Sequence, residues 1–158
     1  MKSLQETYAP GHICFGCGPA NEKGLRIRSF PHDDGTVVMT FNPGVEHQAF
    51  RDVVCGGILG TLIDCHSGWA AAWHLGDRGK DGFLPCTITA GFSVQLLRPA
   101  PLRPLEVVAT LKTSLIGRAV VTATVTADGV VCTRGEGTFV VVDGSAHPAF
   151  GPWVRQGD

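Results

Sequence analysis

The sequence predicts an α+β domain, with a curled antiparallel sheet wrapped around one long central helix. Three observations predict it. Residues 56–75 are apolar on nearly every side and run far longer than a normal strand, so they read as a helix that must be covered by other elements. Most of the chain after it falls into four β-rich segments. Between the last two of these stands Asp128-Gly129, the chemistry of a tight hairpin turn, which makes the strands antiparallel.

The elements follow in order. Residues 1–23 form an irregular N-terminal lead-in, Gly-rich around Cys14 and Cys17. Residues 24–30 and 36–41 are β-rich and flank His32-Asp33-Asp34-Gly35, a turn sequence, so they are expected to pair. A loop over residues 42–54 leads to the helix. The later strands are expected at 84–98, which runs into Pro99-Ala100-Pro101, and at 105–114, which ends near Ile116-Gly117. Two more follow at 118–127, where Val and Thr alternate, and at 130–142. Residues 24–142 make the domain body and 143–158 a C-terminal tail. No internal repeat divides the 158 residues, and 44% hydrophobic content is ample for one core.

Thirteen basic and fourteen acidic residues give a net charge of -1, with no basic block that can track a phosphate backbone. Nucleic acid is not an expected partner. Apolar stretches are interrupted well before about 18 residues, so no membrane span is expected either. The first residues carry one Lys and no apolar run of signal-peptide length, so the cytoplasm is the expected compartment. In that compartment six cysteines read as thiols and not as a disulfide frame.

Asp64 interrupts the apolar helix between Leu62-Ile63 and Cys65. Burying a carboxylate there is costly, and the reading that repays the cost is a general base or nucleophile with a raised pKa. The alternative is a hydrogen-bonded Asp at a subunit contact. At the start of the helix, Gly56-Gly57 permits close approach, and the first N–H groups lack intrahelical partners. Such a terminus can hold a developing oxyanion. Eight residues of helix separate Gly56 from Asp64 by about 12 Å, too far for one chain to present both to one carbonyl. Two chains with antiparallel helices bring them together under two-fold symmetry.

These residues carry a resemblance. Cys14-Phe15-Gly16-Cys17-Gly18 with Asn21 and Gly24-Leu25, then Gly56-Gly57 with Leu62-Ile63-Asp64, then Leu97-Arg98-Pro99, resemble the hotdog-fold thioesterases. Within that superfamily the pattern is similar to the PaaI-like acyl-CoA thioesterases and their THEM-type relatives, and it covers residues 14–142. The resemblance implies homodimers or dimers of dimers, acyl-CoA as the substrate, and no metal or cofactor. It makes Gly56, supported by Gly57, the donor to the thioester carbonyl and Asp64 the catalytic carboxylate. It also puts Thr89 where some relatives carry a hydroxyl that positions water. The chain departs from the family at Cys55, where His is usual, and His47 and Gln48 are the residues placed to supply the missing polar contact. A hotdog module that binds acyl-CoA without hydrolysing it is the alternative reading.

Other signals weigh less. Arg98, Arg103 and Arg118 lie at strand ends or turns, where Arg98 and Arg118 are candidates to meet the phosphates of coenzyme A. Residues two apart on a helix point about 200° from each other, so His66 cannot share a face with Asp64 and is expected to be packed. Cys55 and Cys65 are minor candidates for a thiol nucleophile. His12, Cys14 and Cys17 suggest a zinc knuckle, but no second Cys/His pair follows at the usual spacing, and no metal is expected.

Overall fold

Helix α2 (Gly56–Leu75) dominates the computed structural model, which describes residues 1–143. Leu59, Leu62, Ile63, Trp69 and Ala70 to Ala72 are all buried, as its nearly all-round apolar sequence demands. It ends at Gly76, where a Cβ would sit 2.8 Å from both Leu84 Cδ2 and Pro85 Cδ.

The helix lies against a six-stranded antiparallel sheet. Its strands are β1 (Phe30–Pro31), β2 (Val37–Phe41), β5 (Thr87–Leu96), β6 (Leu105–Leu115), β7 (Arg118–Ala127) and β8 (Val130–Val141). Their spatial order is β1-β2-β6-β7-β8-β5. The β7–β8 connection is the Asp128-Gly129 turn, with φ of 49° and 77° at its two residues, as a two-residue hairpin of matching twist requires. On β7 the period of two places Ala119, Val121, Ala123 and Val125 in the core. Two short strands, β3 (Gln48–Phe50) and β4 (Val53–Val54), form a separate ribbon just before α2.

The N-terminal segment corrects two expectations. The lead-in is not wholly irregular: α1 (Leu4–Tyr8) forms behind a capping box, Ser3 Oγ accepting from the Glu6 N–H while Glu6 Oε2 accepts from the Ser3 N–H. Residues 24–29 do not form a strand, although Phe30–Pro31 does pair with Val37–Val38. Their backbone is engaged elsewhere. Leu25 and Ile27 donate to the carbonyls of Phe15 and Gly16 at 2.8 and 2.9 Å, and Leu4 donates to Ser29 at 2.9 Å. The segment thus clamps the Cys14–Cys17 loop instead of widening the sheet.

A buried polar chain ties these pieces to the core. Gln5 Nε2 donates to Ser29 Oγ at 2.8 Å, Ser29 Oγ lies 2.8 Å from His66 Nδ1, and His66 Nε2 lies 2.9 Å from the Val37 carbonyl. A carbonyl only accepts, so Nε2 carries the proton and Nδ1 accepts from the serine. His66 is a packed, hydrogen-bonded histidine, on the opposite side of the helix from Asp64. Among the described residues, no helix is long and apolar enough to cross a membrane.

Candidate active site

Asp64 sits in the third turn of α2, half-buried, facing the edge strand β5. Thr89 Oγ1 donates to its Oδ1 at 2.7 Å. Burial pushes the carboxyl above the ordinary carboxylate range, the Thr89 hydrogen bond opposes this, and the charge of Cys14 adds to it. A cavity of about 210 Å³ opens in front, lined by His12, Cys14, Cys17, Asp64, Cys65 and Thr89 among others. A carboxyl whose pKa burial raises, oriented by a hydroxyl and open to a cavity, is equipped to take a proton from water.

The other end of the site is the start of α2. Cys55 is the N-cap, and its side chain makes no capping bond. The first N–H groups satisfied in the helical manner are those of Ile58 and Leu59, both on the Cys55 carbonyl. Among the described residues the Gly56 and Gly57 N–H groups thus remain unused, at the positive end of the helix dipole. Gly56 opens onto a different cavity of about 510 Å³, which Phe50, Leu96, Leu97 and Arg98 help to line.

The loop before the helix is held by residues the sequence singled out. The Cys55 N–H donates to the His47 carbonyl at 2.8 Å, and His47 Nδ1 accepts from the Gly44 N–H at 2.9 Å. The imidazole also stands tilted against Phe41, ring centroids 5.4 Å apart. Gln48 Oε1 accepts from the Asp52 N–H at 3.1 Å, supporting the positive φ of 62° at Asp52. His47 and Gln48 therefore pin the helix entry from below.

A single chain brings Asp64 and Thr89 together but leaves Gly56 in another cavity, two helical turns away. The two arginines also separate. Arg98 donates to the Val131 carbonyl at one end of β8, while Arg118 pairs with Val140 at the other, about 30 Å along the strand. They cannot hold the phosphates of one ligand within one chain. Cys65, read as a minor nucleophile, lies against Cys14 and Cys17; these thiols and burial push its own thiol upward, away from the reactive thiolate. Its meeting with the N-terminal cysteines is what sequence spacing missed.

No protein-family model matches the chain, and no curated protein does. Solved structures do. A crystal structure of a thioesterase superfamily protein is 27% identical, with a TM-score of 0.69 over 89% of this chain and 69% of its own. A thioesterase superfamily protein from Shewanella loihica PV-4 is 25% identical, with a TM-score of 0.64 over 79% of this chain and 98% of its own. The chain has the hotdog fold of the thioesterase superfamily. A Bacillus halodurans protein solved with CoA shares the fold at 24% identity, with a TM-score of 0.61 over 75% of this chain and 76% of that one. In this hotdog chain the six-stranded sheet and α2 are the fold's own parts, and the lead-in is what closes the Asp64 end.

Proposed function

We propose that this hotdog protein hydrolyses an acyl-CoA thioester at a site completed by a second copy of the chain. The observation that carries the reading is the pairing of Asp64 with Thr89 in one cavity while Gly56, whose N–H has no partner among the described residues, lines another. The thioester carbonyl needs both, and the CoA held by the Bacillus halodurans relative supports the substrate class.

Strand β5 supplies the geometry. It is an edge strand, exposed along most of its length, and it presents Ile88, Phe92 and Leu96 to solvent. Its Leu96 end lies by Gly56, with Leu96 Cδ1 2.9 Å from where a Gly56 Cβ would be, and its Thr89 end lies by Asp64. Antiparallel pairing of two β5 strands about an axis near Phe92 sets the Gly56 end of one chain beside the Asp64 end of its partner. The same operation draws Arg118 of one chain toward Arg98 of the other, where both can meet phosphate.

At such a site Asp64 accepts a proton from water as the oxygen adds to the carbonyl carbon, and the charge on the carbonyl oxygen falls on the Gly56 N–H. Collapse breaks the C–S bond, the CoA sulfur takes the proton, and the free acid leaves. Direct attack by Asp64 uses the same groups: the C–S bond breaks to release CoA thiolate and leave a mixed anhydride, which water then hydrolyses to the free acid and Asp64, one water proton going to the thiolate.

The test is a panel of acyl-CoA thioesters with detection of released thiol, run on the wild type and on Asp64→Asn. Turnover of at least one acyl-CoA that falls by about a hundredfold or more in the variant is expected. An acyl-CoA bound tightly and recovered intact would instead favour a binding module.

A further inference from the structure

We propose that Cys14, Cys17 and Cys65 form a binding site for a thiophilic divalent metal ion, zinc above all, which staples the N-terminal lead-in to α2. The inference goes beyond thioester hydrolysis and does not rest on it. It also revises the expectation of no metal, which weighed only His12, Cys14 and Cys17 and could not see a sulfur donor arriving from the helix.

The three Sγ atoms lie within 4.8 Å of one another, and those of Cys14 and Cys65 are 3.8 Å apart. Four-coordinate zinc with Zn–S bonds of about 2.3 Å places neighbouring sulfurs about 3.8 Å apart along the tetrahedron edge. A disulfide needs about 2.05 Å and joins only two sulfurs, leaving the third without a role. Three converging thiols, one pair of them at metal-edge spacing, therefore fit an ion better than a bridge.

The surrounding backbone is shaped for this convergence. A Cβ on Gly16 would fall 2.3 Å from Cys65 Sγ and 2.9 Å from Thr61 Cγ2, so only glycine lets the loop and the helix sulfur meet. A Cβ on Gly18 would fall 2.5 Å from both the Cys14 nitrogen and the His12 oxygen, while its N–H donates to the Cys14 carbonyl at 2.9 Å. The result is a tight knuckle. The clamp by Leu25 and Ile27 on Phe15 and Gly16 holds it in place from behind. Cys17 is buried and Cys14 and Cys65 only partly so, and all three line the cavity shared with His12 and Asp64. That side is open for a fourth ligand, with His12 the imidazole that lines it.

Binding exchanges the three thiol protons, released to solvent, for three metal–sulfur bonds. It cross-links the lead-in to α2 at Cys65, one position away from Asp64, so the metal would set the rotation of that turn of helix.

Metal content is the readout. The full chain, expressed with added zinc and purified under reducing conditions, should carry about one zinc per chain. After removal of zinc, cobalt(II) should give the near-ultraviolet thiolate charge-transfer band and the intense visible bands of a tetrahedral site. Cys65→Ser and Cys14→Ser should each lower retained metal at least about tenfold, and Cys132→Ser, on β8 with its thiol directed to the Val130 carbonyl, should leave it unchanged. The cobalt spectrum of the wild type reads the site even if a variant folds poorly. A metal-free chain with no thiolate–cobalt band, a spectrum undiminished in Cys65→Ser, or a mapped disulfide among the three cysteines in freshly purified protein would each overturn the proposal.

Discussion

The Thr89 hydroxyl donates a 2.7 Å hydrogen bond to Oδ1 of Asp64, from the edge strand to the central helix. A hydroxyl that donates to a carboxylate favours its ionised form, so this contact restrains a pKa that burial raises. Removing it in Thr89→Val should move the acid limb of the pH profile of kcat/KM to higher pH and lower the rate near neutrality about tenfold. Thr89→Ser should restore both. An acid limb that stays in place in the Val variant would show that Thr89 does not act through Asp64.

Asp64→Asn should separate catalysis from stability. The folded chain holds the Asp64 proton more tightly than the unfolded chain does, so the ionised carboxylate costs stability at neutral pH, and the cost disappears as pH falls below the unfolded value. The variant should lose about a hundredfold or more in turnover while its Tm at neutral pH holds or rises by roughly 2 °C. Thermal melts with turnover assays check this. A marked fall in Tm would point to a structural role.

Complementation tests the shared site. Gly56→Pro removes the proposed oxyanion donor at the first helical position, where a missing N–H costs no intrahelical bond, and the group it would crowd is the flexible end of Leu96. It and Asp64→Asn should each be nearly inactive alone. Heterodimers of the two carry one site with both lesions and one with neither, so about half the wild-type activity should return. Purified, folded heterodimers as inactive as their parents would sink the two-chain mechanism.

His66 makes stability fall in acid. Burial pulls its pKa from the model-compound value of 6.5 down to about 4, with the Val37 and Val107 backbone hydrogen bonds opposing. Below the unfolded value the unfolded chain takes a proton that the folded chain refuses, so stability is lost progressively until the folded pKa is passed. The loss should approach roughly 3 kcal/mol between neutral pH and about pH 4. Urea unfolding across that range should show it. A His66→Gln variant should have a flatter profile, and an equally steep one would assign the loss to other groups.

Gly135 tests how closely sheet and helix approach. A Cβ there would fall 2.5 Å from Ile63 Cγ2 and 3.0 Å from the Ser93 carbonyl, neither of which can swing away within a packed core. Gly135→Ala should cost about 2 kcal/mol and lower Tm by roughly 4–8 °C. Unchanged thermal stability would mean that β8 stands further from α2.

What the sequence by itself determined is local. Helix α2 follows from twenty residues with no polar face to leave in water, and its bounds Gly56–Leu75 match the expected span. The β7–β8 hairpin follows from Asp128-Gly129, because few residues accept two successive positive φ angles. Asp64 stood out because a carboxylate among apolar neighbours has a cost visible in the sequence itself. Other features depended on pairings between distant segments, which periodicity does not encode. The β-rich composition of residues 24–29 promised a strand, but their N–H groups found the Phe15 and Gly16 carbonyls instead of the sheet. Arg98 and Arg118 looked alike as strand-end cations until the register of β8 set them at opposite ends. Cys65 was a lone thiol beside an Asp until the clamped N-terminal loop brought Cys14 within 3.8 Å of it. Local chemistry reaches only a few residues along the chain, and only the packed sheet and helix decide which distant groups meet.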